Sequence, residues 1–255
     1  WTPPALCHLP MVLGPDGHKL SKRHGATAVD EFHSKGYLKE ALVNYIAMLG
    51  CSYEDGRDIY SLEDLARLFK IERINKAPAV FDYAKLEWFN GQHIRQKSDA
   101  ELSALISPYL AKAGVVSDPP SADQSALVLA AAPLVKERLK FLSDAPDIMR
   151  YLFAVPALPS IEEFIPKKLD ATRTRESLSV SRDLLSSVSV DDHATAEAAF
   201  RERAAEMGLK LGDLLMPLRV AVTGSRVSPP LFESIKLLGV ESTLARIDNA
   251  IEALS

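Results

Sequence analysis

The sequence predicts a mainly α-helical fold, in which a short N-terminal hairpin precedes a long series of short helices. Two observations predict this. Apolar residues recur at three- and four-residue spacing along most of the chain, which is the period of an amphipathic helix. Residues that favour helix ends, a Ser or Asp before such a segment and a Gly after it, flank many of these segments. No segment outside the hairpin alternates as a half-buried strand does, so we expect helical bundles with short connectors.

Composition limits the kinds of protein that this chain can be. It has 255 residues, 47% of them hydrophobic, and a net charge of -4. Contact with a nucleic acid must therefore come from local basic patches. No apolar run approaches the roughly 20 residues that span a bilayer, and Cys7 and Cys51 lack metal-ligand spacing, so we expect a cytoplasmic protein with free thiols. Neither an initiator Met nor a signal-peptide pattern is present at Trp1, and we expect a piece of a longer protein.

The hairpin is predicted at residues 11–20. Pro15 presets φ for a turn, Asp16 tolerates the next position, and Gly17 supplies the positive φ that closes the turn. Apolar residues on both sides of the turn supply the two arms.

The far arm of the hairpin leads into what we call the basic loop, residues 19–25. Lys19, Lys22 and Arg23 lie within five positions, with Ser21 between them and a glycine at the end. Fixed cations beside small residues suit a polyphosphate. On spacing alone, however, a solvated basic loop without a ligand is the commoner structure.

Helices are predicted for the periodic segments that follow the basic loop. Their ranges are residues 29–35, 38–49, 61–69, 83–90, 98–113, 126–141, 178–188, 194–207, 211–222, 231–238 and 241–254, with a further start near 160. Prolines divide the stretch around residues 148–153 into short pieces. Ser61, Asp82 and Ser98 are the expected N-caps of three of these helices. Gly50 and Gly114 are the expected C-terminal caps of two.

Changes in pattern divide the chain. The apolar stripe lapses into polar residues near residues 93–98, and prolines interrupt the pattern before residue 160. We predict three sections: residues 1–95, 96–160 and 161–255. In the first section, the aromatic side chains of Trp88 and Phe89 are expected in the core rather than at a ligand.

The sequence argues against several kinds of catalytic site. The six histidines are scattered, and none pairs with a Cys or a carboxylate at metal-ligand spacing. No Ser lies in a Gly-x-Ser-x-Gly elbow, and no Gly-x-x-x-x-Gly-Lys loop is present. The acid pairs at residues 162–163 and 191–192 each lie near a predicted helix start, where acids interact favourably with the helix dipole.

A second basic stretch, which we call the arginine segment, covers residues 219–231. Arg219 and Arg226, with Ser225 and Ser228, lie beside a predicted helix start. The free N–H groups there suit a phosphate or the edge of an unpaired base. A plain connector between helices is nevertheless the commoner structure for such a stretch.

Taken together, these stretches resemble one family. The basic loop closely resembles the KMSKS signature of class I aminoacyl-tRNA synthetases in its glutamyl form, which has Leu for Met and Arg for the second Ser. The stretches similar to that family are His8-Leu9-Pro10-Met11-Val12-Leu13-Gly14, Lys19-Leu20-Ser21-Lys22-Arg23-His24-Gly25, Phe81-Asp82-x-x-Lys85-Leu86-x-Trp88-Phe89-Asn90, Leu218-Arg219-Val220-Ala221-Val222-Thr223-Gly224 and Ser228-Pro229-x-Leu231. The resemblance covers nearly the whole chain and is weakest at residues 114–189. An all-helical second half is similar to the bacterial and organellar members.

The resemblance implies that the basic loop acts in glutamate activation. Lys22 would bind the ATP phosphates with Lys19 and Arg23 assisting, while Ser21 would keep the turn polar and compact. ATP, accompanied by Mg²⁺, would react with L-glutamate to form glutamyl-adenylate. The cations would stabilise the charge that builds on the departing pyrophosphate. The resemblance implies no metal site within this chain.

The resemblance also implies contacts with tRNA(Glu). The first section would be a stem-contact domain, and the next two would be anticodon-binding helical bundles. Arg219, Ser228, Pro229 and Leu231 would meet anticodon bases through hydrogen bonds to base edges and through stacking.

The HIGH motif and the glutamate pocket of this family do not occur in the sequence, since they belong to a preceding nucleotide-binding domain. We therefore expect a monomeric C-terminal half of a glutamyl-tRNA synthetase that binds tRNA and catalyses nothing alone. Two alternatives stay open. A stand-alone tRNA-binding module has no reason to keep the basic loop, and a paralogue that glutamylates a modified tRNA base lacks the helices after Ser98. Whether glutamine tRNA is also charged stays open too, with Arg138 and Arg150 as candidate determinants.

Overall fold

A computed structural model of the chain describes residues 1–53 and 56–254. The described residues form thirteen α-helices and one two-stranded sheet, which confirms the predicted mainly α-helical fold. The chain divides into two compact units, the first containing Trp1–Leu102 with Leu139–Asp144, and the second containing Ser103–Arg138 with Ala145–Ser255. The predicted division into three sections stays a prediction.

The helices are short, and most connectors between them are short as well. Those that begin in the first unit are α1 (Val29–Ser34), α2 (Lys39–Gly50), α3 (Leu62–Leu68), α4 (Tyr83–Gln96) and α5 (Asp99–Lys112). Those that begin in the second unit are α6 (Ala122–Lys136), α7 (Ala145–Phe153), α8 (Ile161–Phe164), α9 (Ala171–Ser187), α10 (His193–Glu206), α11 (Leu211–Thr223), α12 (Leu231–Leu238) and α13 (Val240–Ala253). None of the described helices is both long enough and apolar enough to cross a membrane.

The first arm of the hairpin has two partners. An antiparallel bridge joins Leu13 to Lys19, which confirms the predicted hairpin. Strand β1 (Val12–Leu13) also pairs in parallel with strand β2 (Ala79–Val80), with Leu13 opposite Val80. The prediction that no strand follows the hairpin is wrong, because a strand of two residues is too short to show an alternating pattern.

Local cap chemistry places several helix starts where they were predicted. The hydroxyl of Ser61 accepts the N–H of Asp64 at 3.0 Å. The carboxylate of Asp82 accepts two backbone N–H groups in the first turn of α4. Ser98 and Glu101 form a reciprocal capping box at the start of α5. These contacts satisfy N–H groups that have no partner inside the helix.

Several predicted helix ends are wrong. Gly50 is the last residue of α2 and not its cap, since Cys51 follows with extended backbone. Helix α4 continues past residue 90, because His93 and Ile94 keep its buried face going through the polar stretch. Helix α6 begins earlier than predicted, at Ala122, and ends at Lys136, because the nearby segment Leu139–Asp144 belongs to the first unit. Helix α9 likewise begins at Ala171, earlier than the apolar spacing indicated.

An aromatic core holds the first unit together. Tyr45 on α2 lies edge-on to Phe81 at 5.1 Å and to Phe89 at 5.8 Å. Its hydroxyl accepts the N–H of Asp82 at 2.7 Å, which fixes the start of α4 against α2. Phe89 is fully buried, as predicted, whereas Trp88 is 44% exposed and its predicted core position is wrong.

The second unit has a core of its own and a buried cation. Helix α9 packs against α11 and α13, and Leu178 and Phe200 are fully buried. The guanidinium of Arg246 is buried and donates to the carbonyl of Val222 at 2.6 Å and to that of Ala154 at 3.4 Å. Arg246 therefore ties together the C-terminal ends of α11 and α7.

Candidate functional sites

The turn that precedes the basic loop is closed by backbone hydrogen bonds. The Gly14 N–H donates to the His18 carbonyl at 2.7 Å, and the Gly17 N–H donates to the Gly14 carbonyl at 3.0 Å. Gly17 has a φ of 76°, in the left-handed region that favours glycine. The Oδ1 atom of Asp16 accepts the His18 N–H at 3.0 Å. The predicted turn is therefore confirmed.

Asp16 is an ionised carboxylate at the edge of this turn. The His18 N–H and the His24 side chain, both hydrogen-bonded to the carboxylate, lower the pKa of Asp16 to about 2, because hydrogen bonds to the charged form favour it. Its Oδ2 atom also pairs with Nη2 of Arg23 at 2.8 Å. A full negative charge therefore lies beside the predicted cations.

The structure brings the three predicted cations onto one exposed loop but gives them different surroundings. Lys22 and Arg23 lie on a single 3₁₀ turn, and Lys19 lies on the arm before it. Arg23 is held by Asp16. Within the part of the chain that the structure describes, neither Lys19 nor Lys22 makes an ion pair with its ammonium group. Both ammonium groups are therefore available to an anion.

The remaining residues of the basic loop fix its shape. Ser21, which was predicted to keep the turn compact, directs both its backbone N–H and its hydroxyl at Nδ1 of His24, at 3.1 and 3.3 Å. Gly25 has a φ of 131° and packs against the ring of Tyr83. The Tyr83 hydroxyl donates to the Ala26 carbonyl at 2.8 Å, so the far end of the loop is anchored on α4.

In the arginine segment, three of the four predicted contact residues are buried. Ser228 is 6% exposed and Leu231 is 4% exposed, and Pro229 is buried as well. Arg219 is half-buried, and its Nη1 donates to the Ser228 hydroxyl and, at 2.9 Å, to the Pro229 carbonyl. Burial lowers the pKa of the Arg219 guanidinium, and nearby Arg138 lowers it further. The structure therefore brings Arg219, Ser228 and Pro229 together as one hydrogen-bonded group.

Arg226 also uses its guanidinium in hydrogen bonds within the second unit. Its guanidinium donates to the carbonyls of Glu163 at 2.7 Å, Glu162 at 2.9 Å and Ile165 at 3.1 Å. These are carbonyls at α8 and just after it, so Arg226 joins the segment to that helix. The most exposed apolar side chain of the segment is that of Val227, at 76%.

An open cavity of about 490 Å³ lies beside the arginine segment within the second unit. Its walls come from the end of the α6 region, from α7 and from the segment itself: Glu137, Arg138, Asp147, Ile148, Tyr151, Thr223, Ser225, Val227 and Ser228. The hydroxyl of Tyr151 is hydrogen-bonded to the Ser234 hydroxyl at 2.7 Å, and burial raises the Tyr151 pKa. Acidic, basic, aromatic and apolar groups thus meet around one space, a mixture that suits a nucleobase better than a lone phosphate.

Sequence reasoning missed part of this cavity. Asp147, Ile148 and Tyr151 were not predicted as site residues, although their spacing places them on one face of α7. That spacing is the only signal in the sequence, and it predicts a core contact equally well. Arg138, a candidate determinant of tRNA choice, does line the cavity, whereas Arg150 does not.

A metal centre is not apparent in residues 1–53 and 56–254. No group of three or more His, Cys, Asp or Glu side chains there could hold a metal ion.

Comparison with known protein families assigns most of the chain. The family model described as an anticodon binding domain matches residues 101–251. A second model, described as the catalytic domain of class I tRNA synthetases (E and Q), matches residues 1–88. The basic loop lies in the second match, and the arginine segment lies in the first.

Similar proteins were found among curated sequences and solved structures. The glutamate–tRNA ligase of Treponema denticola is 52% identical, with 98% of this chain and 53% of the relative covered. That of Borreliella burgdorferi is 42% identical, with 100% and 52% covered. A crystal structure of a glutamate tRNA ligase from Elizabethkingia meningosepticum in complex with its amino acid superposes with a TM-score of 0.83 at 28% identity, over all of this chain and 53% of the other. The chain spans about half the length of these relatives.

Proposed function

The chain belongs to the glutamyl-tRNA synthetase family of class I aminoacyl-tRNA synthetases, and on that premise we propose that it forms the C-terminal portion of a glutamate–tRNA ligase. The whole protein would attach L-glutamate to tRNA(Glu) through glutamyl-adenylate, with ATP as the second substrate, and would act as a monomer. This portion would supply the basic loop to the ATP site and bind the tRNA stem and anticodon.

The observation that carries the proposal is the pair of available ammonium groups on the basic loop. Adenylate formation places negative charge on the departing pyrophosphate. A cation fixed beside that charge stabilises the transition state more than the ground state. Lys22 is the proposed principal contact, with Lys19 beside it. Mg²⁺ would enter the site bound to the phosphates of ATP, and we propose no separate Mg²⁺ site within this chain.

Arg23 and Ser21 have supporting roles in this proposal. Arg23 would assist the lysines from its ion pair with Asp16, which holds the guanidinium at the edge of the loop. Ser21 would keep the loop compact through its two contacts with His24. The glycines at the ends of the loop leave the backbone free to close over ATP and reopen.

The arginine segment and the cavity beside it are proposed to meet the anticodon. The proposed contact residues are Arg219, Ser228, Pro229 and Leu231. Because they are largely buried, they would act mainly by supporting the surface that contacts the anticodon bases. The cavity then offers carboxylates that accept from exocyclic amino groups, and Arg138, which donates to ring nitrogens and keto groups. Unpaired bases are read at such edges and by stacking. The first section of the chain is proposed to contact the tRNA stem.

ATP–pyrophosphate exchange tests the role of the basic loop. In the full-length ligase that carries this chain, Lys22→Ala is expected to lower the exchange rate about a hundredfold, because it removes a cation from the transition state. Binding of tRNA(Glu) should not change. Lys70→Ala removes an exposed lysine that has no proposed role, and it is expected to alter exchange by less than about twofold.

Two results would overturn this role. One is an exchange rate that Lys22→Ala leaves intact, and the other is a Lys22→Ala ligase that activates glutamate normally but no longer binds tRNA. The isolated chain serves as a further control. It is expected to give no exchange, since the HIGH motif lies outside its sequence, and measurable exchange would contradict that expectation.

A stand-alone tRNA-binding module is not favoured. Such a module gains nothing from a loop that presents cations to ATP phosphates. The relatives that match the whole of this chain are ligases of about twice its length, which supports the ligase instead.

A further inference from the structure

We infer that His24 is a positioning residue for the two ATP-contacting lysines, an inference that rests on the proposed function. His24 follows Lys22 and Arg23 in the basic loop, and neither the family motif nor the spacing gave it a role. The structure places its imidazole between Asp16 and Ser21. We call these three residues the His24 clasp.

The clasp is a close-packed arrangement within an otherwise exposed loop. Only 9% of the His24 side chain is exposed. Its Nδ1 lies 3.1 Å from the Ser21 backbone nitrogen, and its Nε2 lies 3.1 Å from Oδ2 of Asp16. Gly14 lies flat against the ring, because a Cβ added there would come within 2.7 Å of the Nδ1 and Cε1 atoms. Only a glycine at position 14 leaves room for the ring where it is.

The hydrogen bonds give the two ring nitrogens of His24 different partners. A backbone N–H can only donate, so Nδ1 of His24 must accept from Ser21 with its lone pair. Nε2 of His24 faces two partners, Nε of Arg23 at 3.2 Å and Oδ2 of Asp16 at 3.1 Å. The Arg23 guanidinium is held by that same carboxylate, at 2.8 Å. The His24 clasp therefore joins the Ser21 backbone through Nδ1, and the Asp16 and Arg23 side chains through Nε2.

The clasp controls the lysines through the backbone. Asp16 belongs to the turn that precedes Lys19, and Ser21 lies between Lys19 and Lys22. The imidazole thus joins the segment before the first lysine to the segment before the second. Cations that are already in place need no reorganisation during the reaction, and a displacement of about 1 Å can cost about a hundredfold in rate.

The polar contacts of His24 all lie within residues 16–24. Removing the ring therefore changes the shape of the loop without opening the aromatic core of the first unit. This separates a positioning role from a general contribution to stability, and the two halves of the clasp can be removed separately.

The test compares His24 variants in the full-length ligase by steady-state ATP–pyrophosphate exchange. His24→Ala removes both contacts and is expected to lower kcat/KM for ATP by about tenfold to a hundredfold, with KM for glutamate and tRNA binding unchanged. His24→Asn keeps an acceptor for the Ser21 N–H, and His24→Gln keeps a donor for Asp16. Each should recover part of the lost rate.

His18→Ala is the matched control. It removes a histidine from the same hairpin whose exposed side chain is not proposed to touch the clasp, and kcat/KM should stay within about twofold of wild type. Wild-type kinetics for His24→Ala would overturn the inference. An equal loss in all three His24 variants, or a loss accompanied by a lower melting temperature in each, would also overturn it, because both results indicate a purely structural side chain.

A spectroscopic measurement separates this inference from the proposed function. In ¹⁵N-histidine-labelled ligase, long-range ¹H–¹⁵N correlation should show that Nδ1 of His24, identified by its absence in His24→Ala, carries no hydrogen, because it accepts from the Ser21 N–H. A proton on Nδ1 in an active ligase would overturn the clasp alone. A wild-type ligase without any exchange activity would overturn the proposed function, and the positioning role with it.

Discussion

The basic loop and the arginine segment both present cations in a short connector, yet the structure uses those cations in opposite ways. In the basic loop, the ammonium groups of Lys19 and Lys22 have no ion pair among the described residues. In the arginine segment, Arg219 and Arg226 donate to backbone carbonyls of their own unit. The first stretch therefore keeps two ammonium groups without an ion pair among the described residues, whereas the guanidinium groups of the second hold the shape of the segment.

The chemistry of the two side chains explains the difference. A guanidinium carries five N–H groups in a planar fork and can satisfy several carbonyls at once, as Arg226 does. An ammonium on a flexible stem is a compact charge that is more readily left in water.

The largest effect is expected where a cation serves the fold alone. Arg246→Met should lower the free energy of unfolding of the second unit by about 3 kcal/mol, because the carbonyls of Val222 and Ala154 lose a charged donor in a buried place. The measurement is urea unfolding followed by circular dichroism. Arg201→Met, on the exposed face of α10, is the matched control and should change stability by less than about 0.5 kcal/mol.

Tryptophan fluorescence provides an internal reference for that experiment. Both tryptophans, Trp1 and Trp88, lie in the first unit. Their transition should keep its midpoint in Arg246→Met. A circular dichroism midpoint that also stays at the wild-type value would show that the buried guanidinium does not hold the ends of α7 and α11.

A smaller effect is expected for Arg219→Lys. The substitution keeps the charge but loses the fork that reaches both Ser228 and the Pro229 carbonyl. Affinity for tRNA(Glu) should fall about tenfold, which corresponds to about 1.4 kcal/mol, because the surface that contacts the anticodon bases loses support. Filter binding at fixed salt measures this, with Arg175→Lys on the exposed face of α9 as control. Full affinity in Arg219→Lys would mean that charge alone suffices and that the two stretches do not differ as described.

The smallest effect concerns the acid that holds Arg23. The pKa of Asp16 is lowered from 3.8 to about 2, so its stabilising contacts are complete above 3.8 and are lost as the pH falls through about 2. The carboxyl ¹³C shift of Asp16 should therefore titrate with a midpoint near 2 instead of near 3.8. Asp16→Asn should remove the titration altogether. A midpoint near 3.8 would show that the hydrogen bonds to Asp16 do not persist in solution.

Much of the fold was predictable because the signals were local. Ser61, Asp82 and Ser98 cap helices through contacts within three residues, and the turn at Gly17 depends on a single φ. The failures involve partners that are distant in sequence. Strand β2 exists because β1 pairs with it, and helix α6 stops because the residues after it pack in the other unit.

The candidate sites follow the same rule. The residues of the basic loop could be named from sequence because the motif is contiguous, but their unequal surroundings could not, since Asp16 meets Arg23 only once the turn has closed. The use of Arg226 was unpredictable, because its carbonyl partners lie more than sixty residues away in α8 and just beyond it. The α7 wall of the cavity was missed because a face that lines a cavity and a face that packs in a core have the same period.

The two anchors of the basic loop have a consequence for how the molecule tolerates change. The loop leaves the scaffold at β1, which is paired with β2, and returns at Ala26, which is bonded to Tyr83 at the start of α4. Both attachment points thus lie on residues 79–83, so the loop begins and ends at the same short segment of the chain. Lengthening a loop of this kind has a small cost in closure entropy, about 0.6 kcal/mol for each doubling of the loop length. Each added residue can nevertheless carry a side chain at the tip through about 3.5 Å. A change in the length of this loop should therefore alter the stability of the fold very little, but it should alter the position of the Lys22 ammonium group.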